Sequence, residues 1–267
     1  MLMEEQLYAV SDKKGKPLKI FDADWKQEFG LALVLERGNK KLVQVNGRDI
    51  DTSFISNSIS HIRWIDADTI LLAEEKLRII DMSGKLLHTF NAGEAIENII
   101  VEKAGIWVSY FDEGIGEEIS DEGLRLFDFK GKTLFRYHSD LLHRPTIFSC
   151  YGLCKGKGEN VWIFPYTDFQ LVDVNPNDRT LRIYSVPNAL HGSSAICIRG
   201  KYAYFFSPYH LPGQMLQLEI GTQNYEFLGE IKGRLRGLNP KEDYHFLNIS
   251  EKDVKLCKIL NDKEFDF

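Results

Sequence analysis

An all-β fold, a six-bladed β-propeller with four antiparallel strands per blade, is what this 267-residue chain predicts, on three observations. Short runs of β-branched and aromatic residues bounded by Gly, Asn, Asp or Pro recur along it, while capped windows of helical spacing are scarce. Ile70-Leu71-Leu72, Ile106-Trp107-Val108, Val161-Trp162-Ile163-Phe164 and Tyr202 to Phe206 are examples, and such side chains suit a pleated, half-buried surface. A segment also repeats: LRIIDMSGK (77–85) returns as LRLFDFKGK (124–132), identical at five of nine positions at an offset of 47. Finally, each repeat carries the same internal order of four extended runs, which matches a propeller blade.

Fainter copies of the repeat are LVQVNG (42–47), FQLVDVNPN (169–177), MLQLEIGT (215–222) and KLCKILND (255–262). Aligning the polar residue before each turn gives Gln44, Asp81, Asp128, Asp173, Glu219 and Lys258, six units of about 43 residues by their spacing. In the unit at 95–138, Ile96 to Val101 leads through Lys103-Ala104-Gly105 to Ile106 to Phe111. After a long connection come Leu124 to Phe129 and, across Lys130-Gly131, Thr133 to Tyr137. The Asp-x-x-Gly turn has a physical cause, because Gly supplies the positive φ that a tight hairpin needs. The last unit has runs at Tyr244 to Ile249 and Val254 to Leu260 but little chain after them. The N-terminal strand, Gln6 to Val10, is therefore expected to close the last blade. Residues 1–267 read as a single propeller domain, with five or seven blades, or another all-β fold, as the alternatives.

Composition sets further bounds. The chain is 43% hydrophobic, 12% aromatic and 27% charged, which excludes a disordered or collagen-like chain. A formal charge of −6 gives no basic field for nucleic acid or an anionic membrane, so neither is expected as a partner. Four cysteines, Cys150, Cys154, Cys197 and Cys257, are too few for a disulfide framework and lack zinc spacing; they read as small buried hydrophobes. The start MLMEEQLYAV lacks a basic, apolar leader, and no stretch of eighteen apolar residues occurs. A cytoplasmic monomer without cofactor or metal is the expectation.

The segment Ile106-Trp107-Val108-Ser109-Tyr110-Phe111-Asp112-Glu113-Gly114, followed by Gly123-Leu124-Arg125-Leu126-Phe127-Asp128, resembles a pattern in uncharacterised bacterial β-propeller-like proteins, roughly WVxYFDEG…GLxxFD. The resemblance spans about 25 residues and implies the fold. The insertion between its halves is shorter and more acidic here.

In a propeller, the connections from second to third strands and from one blade to the next open on one face around the central channel, a surface that repeat folds commonly use for binding. Residues assigned to that face are Tyr110, Asp112 and Glu113, His138, His143 and Arg144, Tyr166 and Asp168, Tyr209 and His210, and Arg236. Together they offer groups that titrate near neutrality, phenols, carboxylates and guanidinium groups. The insertion DEGIGEEISDEG (112–123) holds six carboxylates without the alternating oxygen spacing of a calcium loop. It reads as a solvated loop or as a contact for a basic partner or cationic ligand. Trp64, Trp107 and Trp162 are expected between blades, and Trp25 is either core or exposed.

No phosphate-binding, dinucleotide, zinc-protease or nucleophile-elbow motif is present. Two functions follow. One is a binding propeller that recognises a protein or small molecule through the loop face. The other is a propeller enzyme at the channel mouth: a lactonase-like metal hydrolase using Glu36, Asp112 and Asp168 with Asn57, or a polysaccharide lyase using His138, His210, Tyr209 and Arg144.

Overall fold

The computed structural model describes residues 1–10, 18–52, 58–74 and 76–260. Among them, 24 strands form six four-stranded antiparallel sheets arranged as a six-bladed β-propeller. The first blade holds β2 (Leu18–Lys26), β3 (Gly30–Arg37), β4 (Lys40–Val45) and β5 (Arg48–Ile50). The second holds β6 (His61–Trp64), β7 (Thr69–Ala73), β8 (Leu77–Asp81) and β9 (Leu86–Phe90). In the third are β10 (Ile96–Glu102), β11 (Gly105–Tyr110), β12 (Leu124–Phe127) and β13 (Thr133–Arg136). In the fourth are β14 (Cys150–Lys155), β15 (Val161–Pro165), β16 (Leu171–Asn175) and β17 (Thr180–Tyr184). The fifth comprises β18 (Ala195–Arg199), β19 (Tyr202–Phe206), β20 (Gln214–Glu219) and β21 (Tyr225–Glu230). The sixth pairs β22 (Arg234–Gly237), β23 (Phe246–Ile249) and β24 (Asp253–Ile259) with β1 (Leu2–Ala9), the N-terminal strand.

Closure runs from Leu2 opposite Ile259 to Ala9 opposite Asp253. The expected closing strand is thus present and begins earlier than Gln6. The repeated hairpin turns are built alike. Asp81 Oδ1 accepts from the Ser83 and Lys85 amides at 2.8 and 3.0 Å, and Asp128 Oδ1 from the Lys130 and Lys132 amides, both at 2.8 Å. Gly84 and Gly131 take φ of 88° and 86° in those turns. The segment 233–240, expected as a connection, instead contains β22, the inner strand of the last blade. The connection at 138–145 contains one short helix, α1 (Tyr137–Asp140).

The core consists of six apolar clusters, one at each interface between neighbouring blades. Trp64, Trp107 and Trp162 sit in three of them, as expected, and Trp25 is buried in a fourth, edge-on to Tyr244. A single sheet cannot bury both faces, and the ring supplies every sheet with two neighbours. All four cysteines are buried, on β14, β18 and β24.

Candidate functional site

Inner strands of three blades are interrupted near the loop face by the same device. The pairing register skips between Ile20 and Asp22, between Ile96 and Asn98, and between Cys150 and Gly152. The extra residues are Phe21, Glu97 and Tyr151, and a bulge of this kind re-aims one side chain while the strand continues. The Phe21 ring lies under the Lys41 ammonium. Glu97 enters the mouth of the channel, within reach of the charges of Arg234 across the axis and of Glu113 in the acidic insertion. Burial lifts its carboxyl to about 7, Glu113 adds to the rise and Arg234 opposes it. The Glu97 backbone is pinned by His61, whose Nε2 lies 3.0 Å from its carbonyl oxygen while Nδ1 meets the Ser60 hydroxyl at 2.8 Å. Burial, reinforced by Arg63, holds His61 near 4, so at neutral pH this ring is an uncharged brace.

Deeper along the axis the channel is filled by charge. Arg63 Nη1 donates to Asp22 Oδ2 at 2.6 Å, and Arg236 Nη2 donates to Asp24 Oδ1 at 2.6 Å. The same two carboxylates accept the backbone amides of Ile62 and Trp64, so β2 and β6 are joined through side chains. Burial would raise the Asp22 carboxyl, but Arg63 and Arg236 outweigh it and hold the group at about 2. Burial beside Arg63 lowers Arg236 to about 10 against the pull of Asp24 and Asp22. Lys155 lies 3.7 Å from Glu102, which also accepts from Asn239 at 2.9 Å. A cavity of about 30 Å³ lies among Asp24, Arg63, Glu102, Lys155 and Arg236.

Beside the mouth, on the same face, four rings form a closed cycle. Tyr151 meets Tyr166 at 5.7 Å between centroids, Tyr166 meets Phe169 at 5.4 Å, Phe169 meets Tyr209 at 5.8 Å, and Tyr209 returns to Tyr151 at 6.4 Å. All four contacts are steeply tilted or edge-on, which leaves the ring faces unstacked against one another. Tyr166 and Tyr209 stay 44% and 51% exposed. Phe111 extends the cluster from the third blade, and His191 stacks on Phe169 at 4.7 Å. The cycle is prearranged by backbone as well as packing. Phe169 holds φ of 47°, and the Tyr209 ring lies where a Cβ on Gly192 (φ 76°) would stand, 2.3 Å away. Tyr209 also donates from its hydroxyl to that of Tyr151 at 3.3 Å.

The residues expected from sequence divide clearly. Tyr166 and Tyr209 belong to the ring cycle, and Asp112, Glu113 and Asp168 are exposed on the same face. His143 and His210 are exposed, and Arg144 is half-buried. Tyr110 is buried, its hydroxyl donating to Ala92 O at 2.5 Å, so it offers nothing to a ligand. His138 is committed at both ring nitrogens, to Asp121 O at 2.6 Å and to the Ile147 amide at 3.0 Å. Arg236 stands on β22 inside the channel, not in a loop at its mouth, because its partners Asp22 and Asp24 lie there. Glu36 pairs with Lys41, Asn57 lies outside the described residues, and among those described no three His, Cys, Asp or Glu side chains are gathered to hold a metal. Sequence reasoning missed Glu97, Tyr151, Phe169 and the Asp22–Arg63 pair.

The acidic insertion is a built structure. Two 3₁₀ turns, Asp112–Gly114 and Ser120–Glu122, shape it. Arg125 Nη2 donates to Glu118 O at 2.6 Å, and the Glu122 carboxylate accepts from the amide and hydroxyl of Ser139. Asp112, Glu113, Glu117 and Glu118 are left exposed.

No protein-family model and no curated protein matches the chain. Solved structures do. Virginiamycin B lyase from Staphylococcus aureus aligns over 97% of this chain and 99% of its own, with a TM-score of 0.58 at 11% identity. PorZ, a surface component of the type-IX secretion system of Porphyromonas gingivalis, aligns over 98% of this chain with a TM-score of 0.57 at 10% identity; the chain spans about a third of it, 33%. Hsv2 of Kluyveromyces lactis aligns over 92% of this chain and 76% of its own, with a TM-score of 0.55 at 11% identity. At such identities the likeness shows a shared fold and nothing of activity.

Proposed function

We propose that this propeller is a recognition module that seats a ligand, a small molecule or a protein side chain, against the rings of Tyr151, Tyr166, Phe169 and Tyr209 at the channel mouth. The observation that carries the reading is the ring cycle itself: four large side chains from two blades, prearranged by Gly192 and a strained Phe169, with two of them half open to solvent. Rigid aromatic surface beside polar groups is the usual anatomy of a binding site. The test is a ligand-observed NMR screen of small molecules and short peptides against the wild type and a Tyr166→Ala/Tyr209→Ala double variant. Both rings are half exposed, so the variant is expected to keep its fold and melting temperature within a few degrees. Ligands are expected that bind the wild type and lose at least tenfold in affinity to the variant. Hits indifferent to the substitution would refute the reading.

A second reading, a lyase acting at the same mouth, draws support from one group. Glu97 is held near neutrality by burial, where a carboxyl can serve as a general base or acid. In that case Glu97→Gln abolishes turnover of a bound ligand while its affinity persists.

A further inference from the structure

Building on the recognition reading above, we infer that the ligand seated in the ring cycle carries a positive charge on a weakly hydrated organic head, an alkylated ammonium group. The faces of aromatic rings carry negative electrostatic potential, so several rings tilted around one space attract a cation more strongly than a neutral group of equal size. Here Tyr151, Tyr166, Phe169 and Tyr209 close such a cycle, with neighbouring centroids 5.4 to 6.4 Å apart. The contacts between the four are edge-on or steeply tilted rather than stacked, and His191 covers one face of Phe169, leaving its other face for a ligand. Among the described residues, the lysine ammonium groups that sit over rings do so at Phe21, Tyr202 and Tyr244, away from this cycle. The cycle is therefore not already filled by the protein's own cation.

The surroundings carry the matching sign. Asp168 is the residue before Phe169, and Asp112 and Glu113 follow Phe111, whose ring meets Tyr151 at 6.4 Å. All three carboxylates are exposed. The guanidinium of Arg234 at the mouth is turned to the Phe21 carbonyl, to which it donates at 2.5 Å, and toward Asp22 at 3.9 Å. Compact, strongly hydrated ions gain little from ring faces because they must shed tightly held water. A methylated ammonium sheds little and gains the faces of the rings, with the carboxylates supplying longer-range attraction.

The experiment compares choline with 3,3-dimethylbutan-1-ol, its uncharged carbon isostere, by tyrosine fluorescence and NMR titration of the full chain. Choline is expected to bind at least tenfold more tightly than the isostere. Tyr166→Ala and Tyr209→Ala are each expected to weaken choline at least fivefold, whereas Tyr166→Phe and Tyr209→Phe, which keep the ring and control for folding, hold it within twofold. Glu113→Gln is expected to weaken choline two- to fivefold and leave the isostere unchanged. If both compounds bind equally and both depend on the tyrosine rings, the binding site stands and the charge preference is overturned. If neither compound perturbs the rings, or if choline binding ignores the alanine variants, the inference fails together with the site on which it rests.

Discussion

His138 is fixed in one protonation state by its neighbours. The Ile147 amide donates to Nε2, so Nδ1 must carry the ring's proton and donate it to Asp121 O. Burial lowers its pKa below the usual 6.5, with Arg144 acting in the same direction, and a second proton would set two N–H groups against each other at Ile147. In the range between the lowered native pKa and 6.5, the unfolded chain binds a proton that the native protein refuses. The contribution of His138 is complete above about pH 6.5 and is lost as pH falls through the native value. Denaturant titrations at pH 7.5 and pH 5 are expected to show lower stability at pH 5, and His138→Gln to reduce the difference. Some of it will survive in that variant, because buried His61, held near 4, acts with the same sign. The site reads differently at this scale. Tyr166 and Tyr209 were legible as aromatic residues in connecting loops. Tyr151 was not, since within Cys150–Lys155 it reads as one more strand residue, and only the skipped register turns it to the surface. Glu97 was hidden in the same way, as a polar residue in an alternating strand.

The hairpin turn is the element that made the architecture readable. Its information is local: an acceptor at Asp81 or Asp128, two amides to satisfy, and a glycine three residues on, all within five residues. Sequence comparison detects such a unit because nothing outside it is needed. The fourth blade uses Asn175 as the acceptor for Asn177 and Asp178 in place of an aspartate. Accordingly, Asp128→Asn is expected to be nearly neutral in thermal unfolding. Gly131→Ala is expected to cost about 1–2 kcal/mol for the left-handed backbone and more for the Phe90 ring, which lies 2.5 Å from where the Cβ would stand. The strand β22 shows the opposite case. Arg-Leu-Arg-Gly holds a single apolar residue, too short a run to mark a strand, and its identity as one comes from β23 across a long turn and from the carboxylates of β2 beside it. Distant partners define that element, so its own four residues could not announce it.

At the scale of the molecule, the ring is held shut by β1, which pairs along β24 and is extended by the Leu260 amide donating to Met1 O at 2.8 Å and the Val10 amide to Lys252 O at 2.8 Å. Leu2 and Leu7 pack into the two clusters flanking the sixth blade. Removing residues 1–10 uncovers the edge of β24 and opens both clusters, so the shortened chain is expected to melt at least 10 °C lower and to self-associate. A synthetic peptide of residues 1–10 is expected to restore the melting temperature in a concentration-dependent manner, and a shortened chain as stable as the intact one would contradict the closure. The pinwheel and its closure were legible from periodicity and from the short final repeat. The contents of its axis were not, because Asp22, Arg63 and Arg236 come from three separate blades. Those ion pairs have one further effect. They rivet the first blade to both of its neighbours, Asp22 to Arg63 of the second blade and Asp24 to Arg236 of the sixth, so the closing blade is fastened twice, at the hub by charge and at the perimeter by the N-terminal strand.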